Sequence, residues 1–238
     1  CAEDTISFAD VYPGGRLTPR LTVDPIIDML STRNFRLREE SGHNQFFATF
    51  ARFAQATLGR RGEMLAEVTH RAGRQNIVYL ELMQSGGMLE AALLAKGSVD
   101  FDAELGQRVV RVEVGKIVAN VLAQLDAMEA KALQLNRCGD VDASPGCAVE
   151  VRYLAQVLRI WEPEEVYAQT VLAYKLIKAD PRIVGLNFVA PEDHPVALRD
   201  YKMHMSFIAE IGTMFPEQTK GITLHSGELA LGLVPPEH

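Results

Sequence analysis

The chain has 238 residues, of which 47% are hydrophobic and 23% are charged, and its formal net charge is −7 at pH 7. This size and composition support one large α/β domain or two small ones with a buried core. The acidic balance, without a Lys/Arg block or interleaved aromatic and basic residues, argues against a nucleic-acid-binding surface. No apolar stretch approaches the roughly 18 residues of a membrane-spanning helix, so no membrane span is expected.

The first 43 residues predict an N-terminal loop and helical region. Residues 1–20 contain Gly and Pro without a clear period, which indicates a loop. Asp24-Pro25 predicts a helix start, with Asp as N-cap and Pro at the first helical position. Since the sequence opens Cys1-Ala2-Glu3-Asp4, we expect any signal peptide to lie upstream.

Two helices are predicted next, over about residues 44–58 and 63–74. The first carries aromatic residues at the three- and four-residue steps of a helix: Phe46, Phe47, Phe50 and Phe53. One face of this helix is therefore strongly aromatic.

The rest of the chain alternates between predicted strands and helices. Four largely apolar segments predict strands: 77–83, 149–158, 182–189 and 221–225. Between them, helical periods predict helices over about 103–135, from Glu162-Pro163-Glu164-Glu165 through Ile177, and over about 195–211. Such alternation calls for a parallel sheet covered by helices, and both an open doubly wound sheet and a (β/α)8 barrel satisfy it.

The polar residues that follow the strands distinguish these two folds. They are Gln84-Ser85, Arg159, Glu192-Asp193-His194 and Ser226-Gly227-Glu228. Barrel enzymes place their chemistry at the carboxyl ends of the strands. A doubly wound nucleotide-binding sheet usually has a glycine-rich turn after an early strand, and Gly86-Gly87-Met88 is not such a turn. The pattern therefore favours a barrel.

Cys138 and Cys147 flank a turn-rich loop that can bring the two thiols together. We predict a separation of roughly 4.4–6.8 Å between their Cα atoms, the range of disulfides. A disulfide indicates an oxidising compartment, which favours a periplasmic or secreted protein over a cytoplasmic one. Two free thiols in a mobile loop are the alternative.

Residues 222–228, ITLHSGE, bring a histidine and a glutamate to one loop after a strand. His225 is a candidate metal ligand, because catalytic zinc uses three protein ligands and leaves one position open for water. Glu228 is a candidate proton carrier beside it. The ordinary alternative is a strand-end histidine bonded to a backbone carbonyl.

Residues 183–193, IVGLNFVAPED, the following helix and residues 222–228 together resemble the adenosine deaminase family. The Glu-Asp pair is closest to its longer, often secreted branch, which includes the adenosine deaminase-related growth factors. The resemblance spans about residues 44–230 and extends to Tyr79-Leu80-Glu81-Leu82 and Leu154–Arg159. It implies a (β/α)8 TIM-barrel zinc hydrolase. Residues 1–238 would then form a single partial barrel domain, about strands 2 to 5, with a long helical insertion and the cysteine loop over 94–148.

The family converts adenosine and water to inosine and ammonia, and the resemblance implies roles for individual residues. His225 would be a zinc ligand, and Glu228 the acid that protonates N1 of the purine. Ala190, where glycine is usual, would supply a backbone N–H to purine N3, provided that its φ is negative. Three aromatic residues match the helix that roofs the substrate mouth, with simple core packing as the alternative: Phe46, Phe47 and Phe50.

The chain also departs from the family pattern. Asn187 stands where Asp is common, and Met83 replaces an arginine of short-form members. The first-strand His-x-His pair, the sixth-strand histidine and the eighth-strand aspartate have no match here, which leaves His225 as one of four zinc ligands. His204 is expected on a helix surface. We expect zinc and a purine nucleoside in the complete parent protein, and either a homodimer or association with the rest of the barrel.

Two other functions remain open. One is a catalytically inactive nucleoside-binding or growth-factor-like relative, which loss of the His-x-His pair in the parent would indicate. The other is a deaminase of AMP, adenine or an N6-substituted purine. AMP would need a cation near the ribose end, and Arg159 is the visible candidate.

Overall fold

The computed structural model describes residues 23–35, 41–95, 99–217 and 221–234. The chain divides into two compact units, residues 1–61 and residues 62–238. The loop predicted over residues 1–20 lies outside the described residues. In the part of the chain that is described, no helix is long and apolar enough to cross a membrane.

The first unit contains helices α1 (Val23–Met29) and α2 (Gly42–Thr57). Ser41 caps α2, because its hydroxyl accepts a hydrogen bond from a backbone N–H of the first turn. The buried side chain of Gln45 joins the two helices by donating from Nε2 to the carbonyl oxygen of Asp28, at 2.9 Å. The predicted aromatic helix is confirmed.

The second unit contains a parallel sheet of four strands in the order β1-β2-β3-β4. The predicted strands are confirmed to within two residues at every end: β1 (Tyr79–Gln84), β2 (Glu150–Leu158), β3 (Ile183–Val189) and β4 (Ile222–Leu224). The order of the described strands follows the chain without a reversal, whereas a doubly wound sheet reverses its strand order. The fold is therefore mixed α/β around a parallel sheet.

Helices precede and connect these strands. They are α3 (Arg61–Arg74), α4 (Met88–Ala95), α5 (Leu105–Arg111), α6 (Gly115–Leu135), α7 (Pro163–Ala179), α8 (Pro195–Arg199) and α9 (Tyr201–Thr213), with a 3-10 helix at Pro145–Ala148. The start of α7 matches the prediction: Pro163 is in its first turn, and Glu162 and Glu165 form a reciprocal capping box.

The single helix predicted over 103–135 is wrong, because α5 and α6 are separate helices. Val112 and Val114 lie between them and are both buried in the core. Residues two apart share a face of an extended chain and not of a helix, so burying both valines breaks the helix. The helix predicted over 195–211 is likewise divided, with buried Asp200 between α8 and α9.

Helix α7 forms the centre of the core. It packs against β2, β3, α4 and α9, and most of its residues between 166 and 177 are buried. Alternate strand residues face it, as the period of a strand requires: Ala155, Val157, Leu186 and Phe188. The opposite face of the sheet carries Gln156, Asn187 and Thr223 side by side in register.

The loop before β2 is fastened to α3. Cys138 and Cys147 form a disulfide with 5.5 Å between their Cα atoms, which confirms the prediction. Asn136 Nδ2 donates to the carbonyl oxygen of Ala66 at 3.2 Å. A Cβ atom on Gly146 would lie 2.6 Å from a backbone nitrogen of α3, so this close approach requires glycine.

Arg182 lies directly before β3, at the amino-terminal edge of the sheet. Its guanidinium contacts three carboxylates at 2.6 Å each: Asp126, Glu129 and Asp180. These bonds raise the pKa of Arg182, and Arg182 holds the pKa of Asp180 below its ordinary value. The network connects α6 with the turn that enters β3.

Candidate functional site

The candidate site lies where β2, β3 and β4 end, at the carboxyl-terminal edge of the sheet. His225 follows β4 directly, and its backbone N–H donates to the carbonyl oxygen of Phe188 at 2.9 Å. This bond continues the pairing of β4 with β3 and leaves the imidazole half-buried. Glu228 lies on the same loop and is exposed to solvent. The structure thus places His225 and Glu228 together at the predicted edge.

Glu192 links this loop to the one that follows β3. Its Oε1 atom accepts a hydrogen bond from the backbone N–H of Glu228 at 2.9 Å. The sequence marks Glu192 as one of several polar residues after a strand and as part of the Glu-Asp pair, but it does not indicate a contact with the next loop. Its reach across to the next loop depends on the parallel pairing of β3 with β4, which brings the two strand ends together.

Arg159 lies immediately after β2 and is only 5% exposed. Its Nη2 donates to the carbonyl oxygen of Ala190 at 3.2 Å and to that of His225 at 2.8 Å. Burial lowers the pKa of Arg159, while the carboxylates of Glu192 and Glu228 act in the opposite direction. A buried guanidinium that binds backbone carbonyls is poorly placed to bind phosphate, so Arg159 gives the AMP alternative no support.

Ala190 has a backbone φ of +148°. The expected role of its N–H at purine N3 required a negative φ, and this condition is not met. Its carbonyl is held by Arg159, and the preceding carbonyl of Val189 accepts from the backbone N–H of Arg159 at 3.1 Å. The chain therefore turns here in a conformation that suits glycine. An L-residue in such a region costs about 1–3 kcal/mol. The N–H of Ala190 points differently from that of an ordinary extended residue.

A polar row crosses the sheet at the level of the site. Asn187 is 2% exposed, and its Nδ2 donates to Thr223 Oγ1 at 2.6 Å. On the other side of the row, Ser85 Oγ donates to Gln156 Oε1 at 2.7 Å. Within the described residues, Asn187 Oδ1 has no hydrogen-bond partner. The position that differs from the family pattern therefore presents a neutral amide with a spare acceptor.

His204 lies in the core and not on a helix surface, which corrects the prediction. It is completely buried, and burial lowers its pKa to about 4. The sequence does contain a signal for this placement. His204 occupies the i position of an i, i+3, i+4, i+7 stripe whose other members are buried hydrophobic residues: Phe207, Ile208 and Ile211.

The predicted aromatic residues form a ladder on α2, in the first unit. Ring centroids are 5.1 Å apart between Phe46 and Phe47, and 5.3 Å apart between Phe46 and Phe50. Phe46 and Phe50 are 39% and 51% exposed, so the ladder is more accessible than an ordinary core. Its role as the roof of a substrate mouth stays a prediction.

The donor set around His225 does not by itself fit a catalytic zinc ion. Among the residues that the structure describes, no three His, Cys, Asp or Glu side chains cluster to hold a metal. His225 is a single ligand where catalytic zinc uses three. The chemistry that these residues offer unaided is proton transfer by Glu228.

No protein-family model, curated protein or solved structure matches the chain.

Proposed function

We propose that the chain is the central part of a zinc-dependent aminohydrolase that converts adenosine and water to inosine and ammonia. One observation carries this proposal. His225 and Glu228 share the loop at the carboxyl-terminal end of a parallel strand, and Glu192 holds that loop against the preceding one. Barrel hydrolases place their metal ligands and proton carriers at this edge.

We also propose that the parallel sheet is part of a (β/α)8 barrel. A (β/α)8 barrel would contain β1–β4 as four consecutive strands, about the second to the fifth. Their parallel pairing in chain order supports this arrangement, since neighbouring barrel strands follow one another along the chain. The polar row of Gln156, Asn187 and Thr223 would then face the interior of the barrel.

In the proposed reaction, Glu228 carries the proton. Its carboxylic acid would protonate N1 of the purine, which makes C6 more electrophilic toward water. Zinc, held by His225 and by ligands from outside the described residues, would supply the activation of water. The backbone N–H of Ala190, whose φ is positive, has no role in the proposed reaction, which requires Glu228 and His225.

The disulfide supports an oxidising compartment for the protein, either periplasmic or extracellular. The proposed partner is a small purine nucleoside. A second copy of the chain or the remainder of the barrel would complete the sheet at the outer edges of β1 and β4.

The test is turnover and metal content in the full-length protein. Glu228→Gln should lower kcat for adenosine by about 10²–10⁴-fold while zinc stays bound, because an amide cannot deliver the proton. His225→Ala should lose zinc first. Glu217→Gln is the matched control, because this exposed carboxylate lies between α9 and β4, on the amino-terminal side of the sheet.

Near-normal kcat in Glu228→Gln would refute the proposed role of Glu228. Adenosine binding without ammonia release by the wild-type protein would favour the inactive nucleoside-binding relative. If the enzyme released ammonia faster from AMP, adenine or an N6-substituted purine than from adenosine, that purine would be the proposed substrate instead.

A further inference from the structure

Two side chains connect the three loops that follow β2, β3 and β4. Arg159 reaches from the end of β2 to the carbonyl oxygens of Ala190 and His225. Glu192 reaches from the loop after β3 to the backbone N–H of Glu228. Both bonds to the last loop act on its backbone, at positions only three residues apart.

We propose that Arg159 and Glu192 form a clamp that positions His225 and Glu228 relative to each other, an inference that rests on the proposed function. The clamp is needed because the segment between these residues contains Gly227, whose φ is +75°. Apart from its two chain neighbours, no described residue has an atom within 4 Å of the position that a Cβ on Gly227 would take, so packing against the described residues does not restrain this turn. Fixing the carbonyl before it and the N–H after it restrains both ends.

Electrostatics couple the two members of the clamp. A buried cation is costly unless hydrogen bonds and opposite charges compensate it. The Nη2 atom of Arg159 donates to the two carbonyls, whereas Nε has no hydrogen-bond partner among the described residues. The carboxylates of Glu192 and Glu228 provide the opposite charge. Glu192 thus stabilises the guanidinium and holds the amide of Glu228 at the same time. Loss of either member should weaken the other.

Arg159 and Glu192 are positioning residues and not catalytic ones. Their described bonds go to backbone carbonyls and to a backbone N–H. Such bonds orient the chain and transfer no proton. Removal of a member should therefore loosen residues 225–230 first and slow turnover as a consequence.

Hydrogen–deuterium exchange in the full-length protein, without metal or substrate, tests the clamp directly. Glu192→Ala removes the acceptor and should speed exchange at the amide of Glu228 by about tenfold, since a charged hydrogen bond is lost. Glu192→Gln keeps an acceptor oxygen and should recover most of that protection. Glu217→Ala removes an exposed carboxylate at the amino-terminal edge of the sheet and should leave exchange at residues 225–230 unchanged.

Activity provides the second measurement. Glu192→Ala should lower kcat for adenosine by about tenfold with a KM change of less than about twofold, with Glu192→Gln recovering most of the loss and zinc content constant. Arg159→Lys keeps the charge but replaces the planar guanidinium, whose Nη2 atom donates to both carbonyls, with a shorter side chain that ends in an ammonium. It should also speed exchange in this loop. Because Glu192 lies at the surface loop, its variants remain informative even if Arg159→Lys fails to fold.

The two proposals fail separately. If residues 225–230 of Glu192→Ala exchange at the same rate as in the wild-type protein, the clamp is overturned, whatever the activity of the variant. Faster exchange in Glu192→Ala together with an inactive wild-type protein supports the clamp and rejects the aminohydrolase. Faster exchange with unchanged kcat in an active enzyme overturns the positioning role.

Discussion

The imidazole of His204 lies edge-on against the ring of Phe188, with 6.3 Å between the ring centroids. This contact places a titratable group between β3 and α9, in the apolar interior. Neither ring nitrogen of His204 has a hydrogen-bond partner within the described residues. Protonation of the ring would therefore put into the core a charge that no described hydrogen bond compensates.

We predict that His204 makes the protein unstable in acid. Its pKa is about 4 in the folded protein and 6.5 as the ordinary value, so the unfolded chain binds the proton first. The free energy of unfolding should therefore fall as pH drops from about 6.5 to about 4, by up to about 3 kcal/mol. Among its charged neighbours, Asp200 opposes this shift, whereas Arg159 and Arg199 reinforce it.

Urea unfolding at a series of pH values measures this effect. His204→Leu removes the titrating group at similar volume, and it should flatten the pH dependence in this interval. An equally steep fall in the variant would assign the acid sensitivity to other groups.

Ala190→Gly should stabilise the protein. Glycine adopts the positive φ of this position without strain, and the relief of about 1–3 kcal/mol exceeds its entropic cost of about 0.5–1 kcal/mol. The expected gain in unfolding free energy is about 1 kcal/mol, measured by urea denaturation. Ala143→Gly in the exposed cysteine loop is the matched control and should only destabilise, since Ala143 has no positive φ.

Loss of the Cys138–Cys147 disulfide should lower the unfolding free energy by about 2–3 kcal/mol. The loop that this bond closes is short, so its loss increases the entropy of the unfolded chain only modestly. The double variant Cys138→Ser/Cys147→Ser and the chemically reduced wild-type protein should give the same value. A difference between them would show that the substitutions disturb the loop independently of the bond. Stability unaffected by both treatments would contradict the prediction.

The isolated 238-residue chain should bind zinc weakly and should not deaminate adenosine. His225 alone leaves most of the coordination sphere to water. Metal analysis after dialysis, together with an ammonia assay and an intact mass, checks both statements. Stoichiometric zinc with ordinary turnover from a verified 238-residue species would contradict them.

The parallel sheet was predictable because near-continuous apolar strands alternate with helical periods. The division of α5 from α6 was not, since the burial of Val112 and Val114 is decided by tertiary packing. Likewise, the sequence predicts that His225 and Glu228 follow a strand. It does not show that Arg159 points inward to neighbouring carbonyls, because that contact requires the register of three strands at once.

The network of Arg182 makes the two edges of the sheet unequal. Its three carboxylate contacts secure the strands on the side away from His225 and Glu228. The loops after β2, β3 and β4 contribute none of these three carboxylates. The sequence of these loops can therefore vary while the contacts that stabilise the other edge of the sheet stay unchanged.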